Sequence, residues 1–302
     1  MTFLLMFRGK AAYSSPMRQR YPSLLWPLLG LFLLFLLPAL PKSVRETAAI
    51  GESRPLLILM YHSVLKDPDR AGPYVVSPET VQADIACLQS LGYSCILPSE
   101  AIAFCAGTGS LPEKPVLVTF DDGHLNNLTY VLPILEELEG KALINAVGSY
   151  ADQYTETPDP NPNYAYLSWD QLEELAASGR VEIGNHSYNL HVTAPRKGIL
   201  PLPGESAAQH KNLVTGDLCR MEGELKERNL SSGVFAYPFG AMNPDCAALV
   251  RALGFSMTLT CREGISTIKA GDPSSLLSLC RYNRSAGPTS SAFFDEILKG
   301  DE

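Results

Sequence analysis

Pro115-Val-Leu-Val-Thr-Phe120-Asp-Asp-Gly123 is an apolar run that ends abruptly in two adjacent carboxylates. The run reads as a strand, and Gly123 permits a tight turn directly after the acids. The same grammar repeats on either side. Leu56-Leu57-Ile58-Leu59-Met60-Tyr61 reads as an earlier buried strand, and Ser77-Pro78-Glu79-Thr80 as a helix start continued by Ile85, Leu88 and Leu91 to Gly92. Downstream the pattern predicts a helix over 126–139, a strand over 142–147, a helix over 169–178 ended by Gly179, and a strand over 181–183. After a Pro-rich stretch near Leu200 come a helix over about 205–229, a strand over 234–236, a helix over 244–253 and a strand over 255–259. Such alternation implies an α/β domain with a parallel sheet, with enough units to close or nearly close a barrel. In such a barrel chemistry belongs at the C-terminal ends of the strands. Residues 154–166 are acidic and Pro-rich and read as a surface excursion near the rim of the site.

The chain has 302 residues, 46% hydrophobic and 19% charged, enough for one sizeable domain after an N-terminal segment. Residues 24–40 are almost unbroken Leu, Phe, Trp, Ala and Pro, and as a helix would reach roughly 25 Å, barely a bilayer. Arg8, Lys10, Arg18 and Arg20 precede them, which places the following chain outside the cytoplasm. Ala39-Leu40-Pro41 is a poor cleavage site, so an uncleaved anchor is favoured over a signal peptide. The expected organisation is a cytoplasmic segment 1–21, a transmembrane signal anchor 22–41, a linker 42–54 and a catalytic domain 55–302, acting as a monomer in the cell membrane. Residues 1–54 hold seven Lys/Arg and two Asp/Glu, leaving 17 basic against 30 acidic residues downstream, a net of −13. A domain so acidic is a poor nucleic-acid binder, and would attract a product that gains amines. The seven cysteines show no paired C-x-x-C spacing. Most read as small buried apolar residues, with one or two disulfides permitted in an exported domain.

Asp121 and Asp122 stand where a barrel would put its active site, and two ionised carboxylates this close repel unless a cation or shared proton relieves them. His186 and His191 flank Ser-Tyr-Asn-Leu after the 181–183 strand. On a helix their five-residue step would set them roughly 140° apart, so they share a metal only if the segment is a turn. Two imidazoles and a carboxylate form a facial set suited to zinc or another divalent metal holding a reactive water. Tyr237-Pro-Phe-Gly240 is a third strand end whose loop could present the Phe239 amide to an anionic intermediate.

In this order, Thr119-Phe-Asp-Asp-Gly123, His186-Ser-x-x-x-His191 and Tyr237-Pro-Phe-Gly240 resemble the polysaccharide deacetylase family with the NodB-homology domain, carbohydrate esterase family four. Leu59-Met-Tyr-His-Ser-Val64 resembles an opening strand of many members, so the likeness runs from about Leu56 to Asn283. It implies a distorted (β/α)7 barrel in which Asp122, His186 and His191 bind one divalent metal, by expectation Zn2+, while Asp121 is the general base. Tyr237, Pro238 and Tyr188 are the candidate substrate contacts. Two departures matter. The third motif carries Ala236 near the place of the family's Arg, and no His follows His210 to supply the usual late general acid. His62, at the end of the first strand, is the candidate acid in preference to His124 and His210, and Arg281 in Leu279-Cys-Arg-Tyr-Asn283 is a candidate to orient Asp121. The five-residue His step and early Tyr-His are similar to the extracellular poly-N-acetylglucosamine deacetylases of biofilms. The implied reaction is removal of N-acetyl groups from an extracellular N-acetylglucosamine polymer; an O-acetyl esterase on xylan, a catalytically silent carbohydrate-binding protein and a non-carbohydrate amidase remain as other readings. Asn127-Leu-Thr129 fits the glycosylation pattern but falls beside the catalytic motif.

Overall fold

The computed structural model describes residues 48–299, which take in the end of the expected linker 42–54 and nearly all of the expected domain 55–302. The anchor expected over 22–41 lies outside the described residues, and among the described residues no helix is long and apolar enough to cross a membrane.

The expected parallel sheet is present and curled. In spatial order its strands are Ser266–Lys269, Ser53–Tyr61, Pro115–Asp122, Ala142–Ala146, Val181–Asn185, Ser231–Ala236 and Met257–Leu259. All neighbouring pairs are parallel except the first, which is antiparallel. The sheet forms a half-barrel whose far edges are joined by little backbone. Leu279 bridges Leu259, and Tyr282–Asn283 pairs in parallel with Leu59 and Met60.

Both faces of this sheet are covered, which is why its strands read as continuous apolar runs rather than alternating ones. Leu57, Leu59, Val116, Val118, Phe120, Ile144 and Ile183 share one core with Val81, Ile85 and Leu88 of the Pro78–Ser90 helix and Leu172 and Leu175 of Trp169–Ala177. Their chain neighbours Leu56, Ile58, Leu117 and Leu143 point the other way, into a second core with Phe104 of the Pro98–Cys105 helix, Val234, Met257 and Leu259. Ser77 and Ser168 cap the first two of those helices, the former as the sequence suggests.

Several boundaries differ from expectation for identifiable reasons. The helix expected over 126–139 divides into a wide π turn, Asn127–Val131, and an α-helix, Leu132–Glu137. Pro133 has no N–H to give to Thr129 and its ring crowds that carbonyl, so the turn widens there. The first part of the 154–166 excursion belongs to a helix, Gly148–Glu156, and only the remainder is irregular. The Pro98–Cys105 and Ser290–Lys299 helices and the Ser266–Lys269 strand were not expected at all. Among the described residues all seven cysteines are free, and only Cys105 and Cys246 are buried, so the expectation that most lie in the core is corrected.

Candidate active site

Four strand ends converge on one pocket of about 750 Å³. His62 follows the first strand, Asp121 and Asp122 end the second, His186 follows Val181–Asn185, and Phe239 lies in the turn after Ser231–Ala236; all five line the pocket. His191 lines it as well, because residues after Asn185 form a turn and not a helix, which resolves the five-residue step. The turn is set by Asn185, whose Oδ1 accepts the Ser187 N–H at 2.8 Å. Asp122, Ser187 and Phe239 all have positive φ, at 73°, 71° and 57°. A side chain in this region costs about 1–3 kcal/mol, and here the strain falls in each of the three motif loops.

Asp122, His186 and His191 form a cluster whose donor atoms lie within 4.8 Å of one another. Asp122 Oδ1 stands 3.1 Å from His191 Nε2 and 3.5 Å from His186 Nε2, yet this buried oxygen has no hydrogen-bond partner. His186 Nδ1 lies 2.9 Å from the Ala236 carbonyl, which turns Nε2 toward the carboxylate. An orphaned buried acceptor facing two oriented imidazole nitrogens fits a divalent cation. Burial works against the Asp122 charge, but His124, His186 and His191 outweigh it and hold the carboxyl well below its usual range.

Asp121 is held differently. Arg281 Nη1 and Nη2 donate to its two oxygens at 2.8 and 2.9 Å, and Asn145 Nδ2 donates to Oδ1 at 2.7 Å. Arg281 is fully buried, not a solvated rim residue, and its Nε donates to the Thr260 carbonyl at 2.8 Å while Nη1 reaches Thr119 Oγ1 at 3.2 Å. Burial pushes the Asp121 carboxyl up, and the guanidinium with His186 more than reverses it, leaving the pKa lowered. His62 packs edge-on against Tyr74 at 4.8 Å, and its buried Nδ1 has no hydrogen-bond partner. Desolvation lowers its pKa against the opposing pull of the two aspartates.

The other histidines separate cleanly. His210 is buried in structural contact with the Ile199 carbonyl, 2.7 Å from Nε2. His124 does line the pocket, stacked on Tyr166 and 3.6 Å from Asp122 Oδ2. The three side chains expected to contact substrate do not line the pocket. Tyr237 is buried against Phe235, because alternation along its strand turns both into a third, smaller apolar cluster with Ile199, Val214 and Leu218. Pro238 is buried beside it. Tyr188 is buried, donating its hydroxyl to Asp152 under the Arg220 guanidinium. Asn145 was missed; its signal is a lone amide in the otherwise apolar strand Ala142–Ala146. Asn127 is buried, so its glycosylation pattern is inaccessible in the fold. The acidic balance of the domain does not extend to the pocket, whose charged lining residues are Asp121 and Asp122 with Arg70 and Lys197.

The model of the polysaccharide deacetylase family matches residues 108–258, half of the chain, and the chain belongs to that family. The match contains both aspartates, both cluster histidines and the Tyr237–Gly240 loop, whereas His62 and Arg281 lie outside it. The poly-beta-1,6-N-acetyl-D-glucosamine N-deacetylase of Escherichia coli K12 is 26% identical over 286 residues, 87% of this chain and 42% of that protein. The chain thus spans less than half the length of that relative. The solved structure of IcaB from Ammonifex degensii is 30% identical with a TM-score of 0.60, covering 78% of this chain and 92% of that one. A de-N-acetylase from Aggregatibacter actinomycetemcomitans shares the fold with a TM-score of 0.69 at 23% identity, over 80% and 99% of the two chains.

Proposed function

We propose that this chain is a metal-dependent N-deacetylase that releases acetate from an extracellular N-acetylglucosamine polymer. The observation that carries the reading is the pairing, in one pocket, of an Arg-clamped carboxylate with the Asp122, His186 and His191 cluster. The names of the Escherichia coli and Ammonifex relatives support the substrate class.

Asp122, His186 and His191 would hold a divalent ion, Zn2+ by the chemistry of a two-imidazole, one-carboxylate set; when bound, it supplies an acidified water and polarises the acetyl carbonyl. Asp121 is ionised at working pH and rigidly aimed by Arg281 and Asn145, so it accepts the water's proton as oxygen bonds to the acetyl carbon. The Phe239 backbone N–H, in a left-handed turn of a loop that lines the pocket, is the donor to the developing oxyanion in this reading. As the carbon–nitrogen bond breaks, His62 gives a proton to the leaving amine, and acetate and a free glucosamine amine result. Arg281 positions the base without touching substrate.

The apolar segment 22–41 anchors the chain in the cell membrane with the domain outside, a reading supported by the basic residues before it. The test of the activity is acetate release from N-acetylglucosamine oligomers and from acetylated xylan, before and after chelation. Metal-dependent release from the former, reduced about 10²–10⁴-fold in both Asp121→Asn and His62→Ala, is the expected result. Release from xylan alone would transfer the reading to an esterase, and a loss in His124→Ala but not His62→Ala would move the acid to His124.

A further inference from the structure

Three large aromatic side chains among the described residues are more than a third exposed: Tyr74 at 59%, Tyr164 at 62% and Phe239 at 36%. All three line the catalytic pocket. Every other described Phe, Tyr and Trp is buried or half-buried. Exposing aromatic faces in water is unfavourable, and their concentration at one mouth calls for a ligand that covers them.

Phe239 is accounted for by the His191 ring, on which it stacks with centroids 4.4 Å apart. The two tyrosines are not part of the reacting centre. Tyr74 follows the short turn Pro68–Arg70 and touches His62 only by its edge. Tyr164 lies in the irregular stretch after the Gly148–Glu156 helix, with the Arg70 guanidinium 5.0 Å from its ring centroid. That contact joins the two loops. Below it Asn126 ties the Tyr164 loop to the floor, its Nδ2 donating to Ser63 Oγ at 3.0 Å and to the Pro162 carbonyl at 3.1 Å, and the Ser63 N–H ties the other loop by donating to the Tyr74 carbonyl at 3.1 Å. The tyrosines therefore sit on loops fixed to each other and to the strand ends.

We infer that Tyr74 and Tyr164 are stacking platforms for the sugar rings adjoining the one that loses its acetyl group, so that the pocket binds a run of a β-linked polymer and not an isolated monosaccharide. A β-linked glucosamine ring carries its ring C–H bonds axially and so presents two apolar faces. The negative face of an aromatic ring complements those C–H groups, while the hydroxyls remain in water. The inference rests on the deacetylase reading and adds to it the length of substrate recognised.

The experiment compares the full-length, metal-loaded protein with Tyr74→Ala, Tyr164→Ala and the corresponding Phe variants on N-acetylglucosamine itself and on its β-1,6-linked pentamer. Acetate release gives KM and kcat, and calorimetry in an Asp121→Asn background gives pentamer affinity without turnover. Each Ala variant is expected to raise the pentamer KM and Kd about tenfold with kcat within about twofold, to leave the monomer unchanged, and to be rescued by Phe. Because both side chains are exposed, circular dichroism should show the fold intact. If the parent releases acetate but both Ala variants bind pentamer as tightly as it does, the platforms are overturned and the deacetylase reading stands. A parent that neither binds nor cleaves any oligomer overturns both.

Discussion

Two Arg–Asp pairs three residues apart on the same segment serve opposite ends. Arg281 grips Asp121 in the pocket, and Arg284 grips Asp84 of the Pro78–Ser90 helix at 2.8 and 3.2 Å. All four side chains are buried, so both pairs carry the desolvation cost of an internal ion pair. They differ in what the carboxylate faces. Asp84 also accepts the Tyr61 hydroxyl at 2.7 Å, and Arg284 also donates to the Ser285 and Pro288 carbonyls before the Ser290–Lys299 helix. That network lies away from the pocket and clamps the C-terminal segment to the domain. Asp121 accepts the same number of bonds, two at Oδ1 and one at Oδ2, but it lines the pocket, where a reacting proton can reach its remaining lone pair. A buried pair sealed away from any cavity is structure; one that opens on the pocket is placed for chemistry.

The largest expected effect is on the active pair. Arg281→Met leaves an uncompensated buried carboxylate, and denaturant unfolding should record a loss of about 3–5 kcal/mol. Acetate release per folded molecule should fall by a further 10²-fold or more, since the base loses its aim. Arg284→Met should cost a similar 3–5 kcal/mol yet leave kcat of the folded fraction within about twofold. A comparable loss of kcat in both variants would erase the distinction.

A smaller effect is expected at Gly184, in the strand beside Asn145. A Cβ there would lie 2.2 Å from Asn145 Oδ1. Gly184→Ala should therefore destabilise by about 1–3 kcal/mol and lower kcat by displacing the amide that steadies Asp121. Unchanged kcat would remove Asn145 from the positioning network.

The smallest effect is in the pH dependence. Because the folded Asp121 carboxyl lies below its unfolded value, the stability it contributes is complete above about pH 4 and is lost as pH falls through the folded pKa. The stability gap between parent and Asp121→Asn should thus be constant from neutral pH to about 5 and narrow below about 4. A gap that widened on acidification would mean the pair is not ionic.

The strand ends were legible because chemistry there interrupts apolar runs: Asp121 and Asp122 after Phe120, and His186 after Ile183, Gly184 and Asn185. The Gly148–Glu156 helix was hidden by its polar sequence and its neighbouring prolines. The direction of Tyr188 and Tyr237 was equally hidden, since adjacency to a motif does not tell which side of the backbone a ring takes. Asn145 offered a single polar residue in an apolar strand, a weak signal without its partner in view.

Local pattern by itself determined the alternating α/β plan, the pair of aspartates and the two histidines, because hydrophobic period and strand-end position are properties of neighbouring residues. Only the tertiary structure decided that Arg281, 160 positions from Asp121, supplies the guanidinium absent at Ala236. It alone placed Tyr74 beside His62, Arg70 against Tyr164 and Asn145 against Asp121. Those contacts depend on how the sheet curls and which loops meet over its strand ends, and no single segment of the chain carries that information.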